Sequence, residues 1–414
     1  MSEAKQRLEH ATPEPGWYGS VLDERGQVED PYTGFNELRE TQPVNLTPDG
    51  GWRISRYRDV QRLLRDVPAG VRLTDGRIPG QAEEVSGAGL FMLTQDPPNH
   101  TRLRKLVRKA FTPRAINAWR SRIEAVTDEL LESVAPHGEL DLIADLALPV
   151  PATLICELLG VPTEDQASFT QWTADATHGL LVIRGQGDDA LRARVGAAST
   201  SLIAYFSKLI DERRKHPGDD LLSVLIAAEE EGEKLSPLEL LSQSIGLLIA
   251  GFETTIGLIG NGLTTLIRNP AELAKLRAAP QLIESAVEEC LRFSGPIVAT
   301  VRVVHEDVRF GDYVIPRDTE VVAMLAGANR DPECFDDPDR FDIERYTRAH
   351  TPPHLSFGGG THYCLGAHLA RLETQIAIGR LVQRFEGLAL VNETTRWGRS
   401  LFRVPASIPA TFRS

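Results

Sequence analysis

HLSFGGGTHYCLGAHLAR, residues His354 to Arg371, is the stretch from which the rest of the chain can be read. One cysteine, Cys364, stands where a glycine-rich loop gives way to an amphipathic pattern. The following LGAHLARLETQIAIGRLVQRF predicts a helix from about Leu365 to Phe385. Gly358, Gly359 and Gly360 let the backbone fold tightly under a flat ligand, since no Cβ blocks close approach. A helix start aims free N–H groups and the positive dipole end at the sulfur, which favours thiolate over thiol. Taken alone, the residue leaves three readings open. It is a small buried hydrophobe, a nucleophile with His362 as base, or a metal ligand.

Composition narrows the classes. The chain has 414 residues, 42% hydrophobic and 25% charged, which is ordinary for a soluble globular protein and ample for a large core. A net charge of −13 argues against nucleic-acid binding. Cys156, Cys290, Cys334 and Cys364 show no paired metal spacing, and so few cysteines suit a reducing cytoplasm. MSEAKQRLEHATPEPG has no apolar core of the kind a signal peptide needs. The one membrane-like run, Ser244 to Ile267, carries Glu253, several threonines and Asn261. It therefore reads as the buried central helix of a large fold and not as a membrane anchor.

In chain order, residues 1–30 read as a polar surface arm. PYTGFNELRE reads as a short helix, GGWRISRY as a strand, and SRYRDVQRLLRD as a helix burying Val60, Leu63 and Leu64. Val67 to Pro98 is irregular and holds the apolar patch Leu90, Phe91, Met92, a candidate substrate-covering segment. The helix in NHTRLRKLVRKAFTP buries Leu103, Leu106, Val107, Ala110 and Phe111. His100 and Arg104 flank that stripe and point inward, where they could hold a buried anion. Arg102, Lys105 and Lys109 fall on the outer side, either a solvated basic face or a dock for an acidic partner. Asn99 to Arg114 carries six Arg/Lys and no acid.

Residues 114–230 read as a run of helices, with THGLLVIRGQGDD a plausible lid between two of them. Within the central helix lies AGFETT, Ala250 to Thr255. Gly251 weakens the helix and the Thr254 hydroxyl bonds back to the carbonyl of Ala250, which predicts a local kink and room for a small molecule. Glu253 beside Thr254 is a sensible start for a proton relay into a dry pocket. Glu289 and Arg292 form an i,i+3 pair with Cys290 between them as core packing. After Pro296 the pattern alternates in IVATVRVV, VRFGDYVI and TEVVAML, with turns at Gly311-Asp312 and Pro316-Arg317-Asp318. A small sheet in a mainly α protein follows.

Four motifs in order now carry a resemblance. Phe357, Gly358, Gly360, His362, Cys364 and Gly366 keep the spacing F-G-x-G-x-H-x-C-x-G, which resembles the haem-binding loop of the cytochrome P450 family. AGFETT resembles that family's oxygen-activating A-G-x-[DE]-T-T segment. Glu289 with Arg292 resembles its E-x-x-R pair, which the resemblance makes buried and structural together with Arg340 of PDRF. ANRDPECFDDPDRF resembles its meander. The family usually has glycine where Asp318 stands; aspartate tolerates left-handed turns, so the change is taken as local.

The resemblance runs from about Tyr32 to the C-terminus and implies a single P450 domain over residues 1–414. Haem b is expected between the central helix and the helix after the cysteine loop. Cys364 would be the axial iron ligand, with His100, Arg104, Arg302 and His354 on the propionates. Phe357, Gly358, Gly366, Ala250 and Gly251 would line the haem, and Glu253 and Thr254 would deliver protons. The implied activity is a monooxygenase placing one oxygen atom from O2 into a hydrophobic small molecule, of the kind used in secondary metabolism. Electrons would come from a separate ferredoxin-type protein docking near Arg102, Lys105 and Lys109. Alternatives are a peroxide-driven or oxidative-coupling enzyme and, outside enzymes, a haem sensor or carrier. The expected pocket lining is Leu90 to Met92, Gly179 to Ile183, Ile245 to Ala250 and Ile297 to Thr300.

Overall fold

Apolar residues at helical spacing become helices over most of the chain. The computed structural model describes residues 30–46, 51–79, 90–179, 182, 188–230, 235–398 and 402–413. The expected arm at 1–30 lies, but for its last residue, outside these. So do most of the expected lid from Thr177 and residues 180, 181 and 183 of the expected lining. The described residues fall into two compact units, each drawn from three separated stretches. The first takes its residues from Met1–Glu83, Ile297–Arg340 and Pro352–Tyr363; the second from Glu84–Pro296, Phe341–Thr351 and Cys364–Ser414.

In the second unit the central helix runs over Pro237–Arg268. Its start is fixed by a capping box: the Ser236 hydroxyl accepts from Glu239 N–H while the Glu239 carboxylate accepts from Ser236 N–H, with Pro237 in the first helical position. Asn269 and Pro270 end it. The helix is long and apolar enough to cross a membrane, yet 61% of its most apolar window is buried inside this fold, as expected for a core helix. Gly257 lets a neighbour come close, since a Cβ there would lie 2.7 Å from Pro296 Cβ.

The helix after the cysteine spans Ala367–Arg384, two residues shorter at its start than the periodicity predicts, because Leu365 and Gly366 form a turn. It packs on the central helix and on Arg120–Val134 and Ile283–Ser294. Helix Asn99–Arg108 buries Leu103, Leu106 and Val107 as expected, and helices Gln166–Thr177 and Asp189–Lys215 pack together through Phe169 and Phe206.

The first unit is built on a five-stranded sheet in the order Val44–Leu46, Trp52–Ile54, Glu320–Ala323, Thr300–Val304, Ala69–Gly70. Ile54, Val304, Val321 and Ala323 are buried with Val60 and Leu63 of helix Tyr57–Arg65. The short hairpin Val308–Phe310 to Tyr313–Ile315 turns at Gly311, as its sequence predicts. Asp318 adopts the left-handed conformation at φ +61°, and its carboxylate accepts from the N–H and hydroxyl of Thr74 at 2.6 and 2.7 Å. The departure from glycine therefore has a local use, because the side chain ties a loop that glycine could not hold.

Candidate active site

Cys364 opens its stretch of the second unit half-buried, at the mouth of helix Ala367–Arg384. Burial pushes its thiol up. Against that, the Gly366 N–H bonds to the sulfur and the guanidinium groups of Arg104 and Arg371 favour the anion. The Gly366 N–H at the helix start thus supports the anion against the opposing desolvation, and a metal ion would add to that support. Arg104 is also half-buried, and its own ionisation is lowered by burial and supported by the nearby sulfur. His100, four residues earlier on the same helix, is buried at 2% exposure.

On the central helix the Thr254 hydroxyl donates to Ala250 O at 2.9 Å, as the sequence predicts, and Thr255 does the same to Gly251 O at 3.0 Å. The expected kink does not break the helix, which is continuous from Pro237 to Arg268. Ala250 is exposed within this largely buried helix. A Cβ on Gly251 would meet nothing nearer than Ile155 Cδ1 at 4.0 Å. Glu253 and Thr254 are both half-buried beside this open face.

In the first unit, Gly358 has φ +71° and Gly360 φ +62°, both left-handed values that favour glycine. A Cβ on Gly360 would run into the carbonyl of Leu64, so the close approach that demands glycine here is to the chain's own helix Tyr57–Arg65. Phe357 stacks at a tilt against His354, with ring centroids 5.7 Å apart. His354 is buried, and its Nδ1 accepts from Ser356 N–H at 3.2 Å, which leaves the proton of a neutral ring on Nε2. Asn329, which sequence reading missed, braces this loop. It donates to the Ser356 hydroxyl at 2.8 Å and accepts from Leu355 N–H at 2.7 Å. Arg302 is buried on strand Thr300–Val304, with Nη1 donating to Val301 O at 2.8 Å.

Two expectations need correction. Arg340, expected to be buried with the Glu289–Arg292 pair, is exposed. The second guanidinium on Glu289 is that of Arg345, with Nε at 3.2 Å from both carboxylate oxygens. The two arginines sit five residues apart, and spacing alone gives no reason to prefer the second. Arg102 is not wholly on the solvent side either. It is half-buried and ion-paired with Glu239, the capping residue of the central helix, whereas Lys105, Arg108 and Lys109 are exposed. Cys290 is core packing as expected: fully buried, its thiol driven up by desolvation.

The sequence profile of the family described as Cytochrome P450 matches residues 189–396. Cytochrome P450 107B1 of Saccharopolyspora erythraea is 42% identical over 388 residues, 89% of this chain and 92% of that one. The chain belongs to the cytochrome P450 family. The 6-deoxyerythronolide B hydroxylase of the same organism is 38% identical over 386 residues, covering 89% of this chain and 93% of its own. Among solved structures, P450BioI in complex with an acyl carrier protein ligated to hexadec-9Z-enoic acid superimposes with a TM-score of 0.84. It is 36% identical and covers 93% of this chain and 98% of its own. This P450 is accordingly a haem b monooxygenase, in a family whose members act on small molecules and take electrons from redox partners. The residues fit the group. No heavy atom stands within 4 Å of a Cβ built on Gly366, next to the half-buried sulfur, and the cationic Arg104 lies close to that sulfur. Among the described residues no cluster of His, Cys, Asp or Glu offers a competing metal site.

Proposed function

We propose that Cys364 ligates the haem iron and that this P450 oxygenates a hydrophobic small molecule with O2 and two electrons from a ferredoxin-type protein. When bound, haem with a thiolate ligand supplies oxygen activation and O–O cleavage. The chain's residues have the remaining tasks. His100, Arg104, Arg302 and His354 are assigned to the two propionates, because carboxylates in an interior demand charged or hydrogen-bonding partners. Phe357, Gly358, Gly366, Ala250 and Gly251 are assigned to contact the ring system. Glu253 carries protons toward the open face and Thr254 holds a hydroxyl there, bonded to Ala250 O at 2.9 Å.

The observation that carries this reading is the exposed Ala250 in the middle of a core helix, one turn before the Thr254 hydroxyl. An exposed small residue one turn before a hydroxyl gives a reactant room beside that hydroxyl. The pair Glu253 and Thr254 favours oxygen with reductant over a peroxide-driven reaction, which needs less proton delivery. The expected lining at Leu90 to Met92 and Ile245 to Ala250 is aliphatic and aromatic, in keeping with relatives named as hydroxylases of 6-deoxyerythronolide B and vitamin D(3). Residues 1–414 are read as one catalytic domain, and the scarcity of cysteines supports a cytoplasmic place for it. The ferredoxin would dock on the exposed Lys105 and Lys109. Arg102, balanced by Glu239, contributes less than its sequence position promised.

A spin-state screen tests the reading. Hydrophobic compounds should shift the haem absorption band, and the responders should be oxygenated with ferredoxin and reductant. Absence of any responder, together with equal turnover on peroxide alone, contradicts it.

A further inference from the structure

The central helix grips the segment ahead of helix Asn99–Arg108 at one place. Gln243, at 0% exposure, uses both ends of its amide: Oε1 accepts from Met92 N–H at 3.1 Å, and Nε2 donates to Leu90 O at 2.8 Å. The main chain is therefore pinned on both sides of Phe91. The Phe91 ring then lies where a side chain on Gly246 would be, since a Cβ on Gly246 would overlap ring atoms Cγ, Cδ2 and Cε2. Gly246 stands three residues beyond Gln243, on the same side of the helix. Ala250 and Thr254 follow Gly246 at four-residue steps, so the ring sits one turn from the exposed Ala250 on the same face.

Each feature is costly without the others. A glycine inside a helix is less stable than alanine there. A buried amide left without partners is destabilising. Here the missing side chain accommodates the ring, and the amide is satisfied by the segment that carries the ring.

We propose that Gln243 and Gly246 form a seat that fixes Phe91, and that the seated Phe91 ring sets the size limit for substrates at the near edge of the Ala250 face. Gln243 and Gly246 are positioning residues, and Phe91 is the specificity-determining one. The proposal rests on the reading of Ala250 to Thr254 as the reactive face.

Two measurements test it. In the first, imidazole and 4-phenylimidazole are titrated into the haem protein and into its Phe91→Ala, Gly246→Ala and doubly substituted forms, and the ratio of the two dissociation constants is read from difference spectra. Phe91→Ala should move the ratio toward the larger ligand by about tenfold, the scale on which a hydrophobic pocket discriminates size. Gly246→Ala should shift the ratio in the parent but not in the Phe91→Ala background. A Gly246→Ala shift of equal size in both backgrounds, or none in either, overturns the proposal. In the second, hydrogen exchange of the Met92 amide is compared in the full chain and its Gln243→Leu form. Exchange should quicken about tenfold on loss of the acceptor, and an unchanged rate overturns the clamp. A chain that bound no haem would defeat the functional reading while leaving this exchange result interpretable.

Discussion

Arg345 Nε lies 3.2 Å from both carboxylate oxygens of Glu289, although the two residues are 56 positions apart. Arg292 holds the same carboxylate with two bonds of 2.7 Å, and Asp342 N–H donates to it at 3.0 Å. One fully buried acid thus fastens the segment from Asp342 to Arg345 to helix Ile283–Ser294.

Removing one partner of such a network breaks charged hydrogen bonds in the interior, although Arg292 still holds the acid. Arg345→Ala should cost about 1.5–3 kcal/mol of stability. Arg340→Ala, on the exposed side, should cost at most about 1 kcal/mol, the most an exposed pair usually contributes. Urea denaturation followed by circular dichroism separates the two; equal effects would put the wrong arginine on Glu289.

Glu373 is buried at 4% exposure on helix Ala367–Arg384, its Oε2 has no hydrogen-bond partner, and desolvation pushes its carboxyl up to about 8. The folded state then holds a proton that the unfolded chain releases near the ordinary glutamate value. The contribution to stability is present below that ordinary value and falls as pH rises, by at most about 1.4 kcal/mol per unit, until pH passes the raised value. Melting temperatures from pH 5 to 9 should fall more steeply for the parent than for Glu373→Gln. Parallel curves would refute the assignment.

Gly360 and Gly366 differ in what their missing side chains serve. Gly360→Ala forces a left-handed residue against the Leu64 carbonyl and should lose about 1–3 kcal/mol in denaturant unfolding. Gly366→Ala enters open space at ordinary φ, so stability should hold while haem content after purification drops. Full haem content in Gly366→Ala would mean that space is not the cofactor's.

Thr254→Ala removes the hydroxyl from the open face and Glu253→Gln removes the titratable acid. Either should lower product formed per reductant consumed, with turnover falling by roughly a hundredfold for a lost proton donor. Substrate-induced spectral change should be kept. Unaltered coupling in both would remove the proton relay from the account.

Much of this was legible in the sequence because local physics sets it. The capping signals of Pro237–Arg268, the Thr254 bond to Ala250 O and the turn at Asp318 each depend on residues within a few positions. The misreadings share a cause: they depend on pairings across long sequence separations. Arg345 over Arg340 is decided by which arginine the fold turns inward. Helical face alone puts Arg102 toward solvent, and only the fold brings the distant Glu239 beside it. Gln243 and Asn329 gave no signal at all, since a buried amide is recognised only by the backbone it satisfies.

The sulfur of Cys364 is the atom on which the account turns, and carbon monoxide reads its ligation directly. The purified protein, reduced under carbon monoxide, should show the red-shifted Soret band of a thiolate-ligated haem, and Cys364→Ser should lose it. A band at the unshifted position, or a shifted band that survives Cys364→Ser, would contradict the assignment.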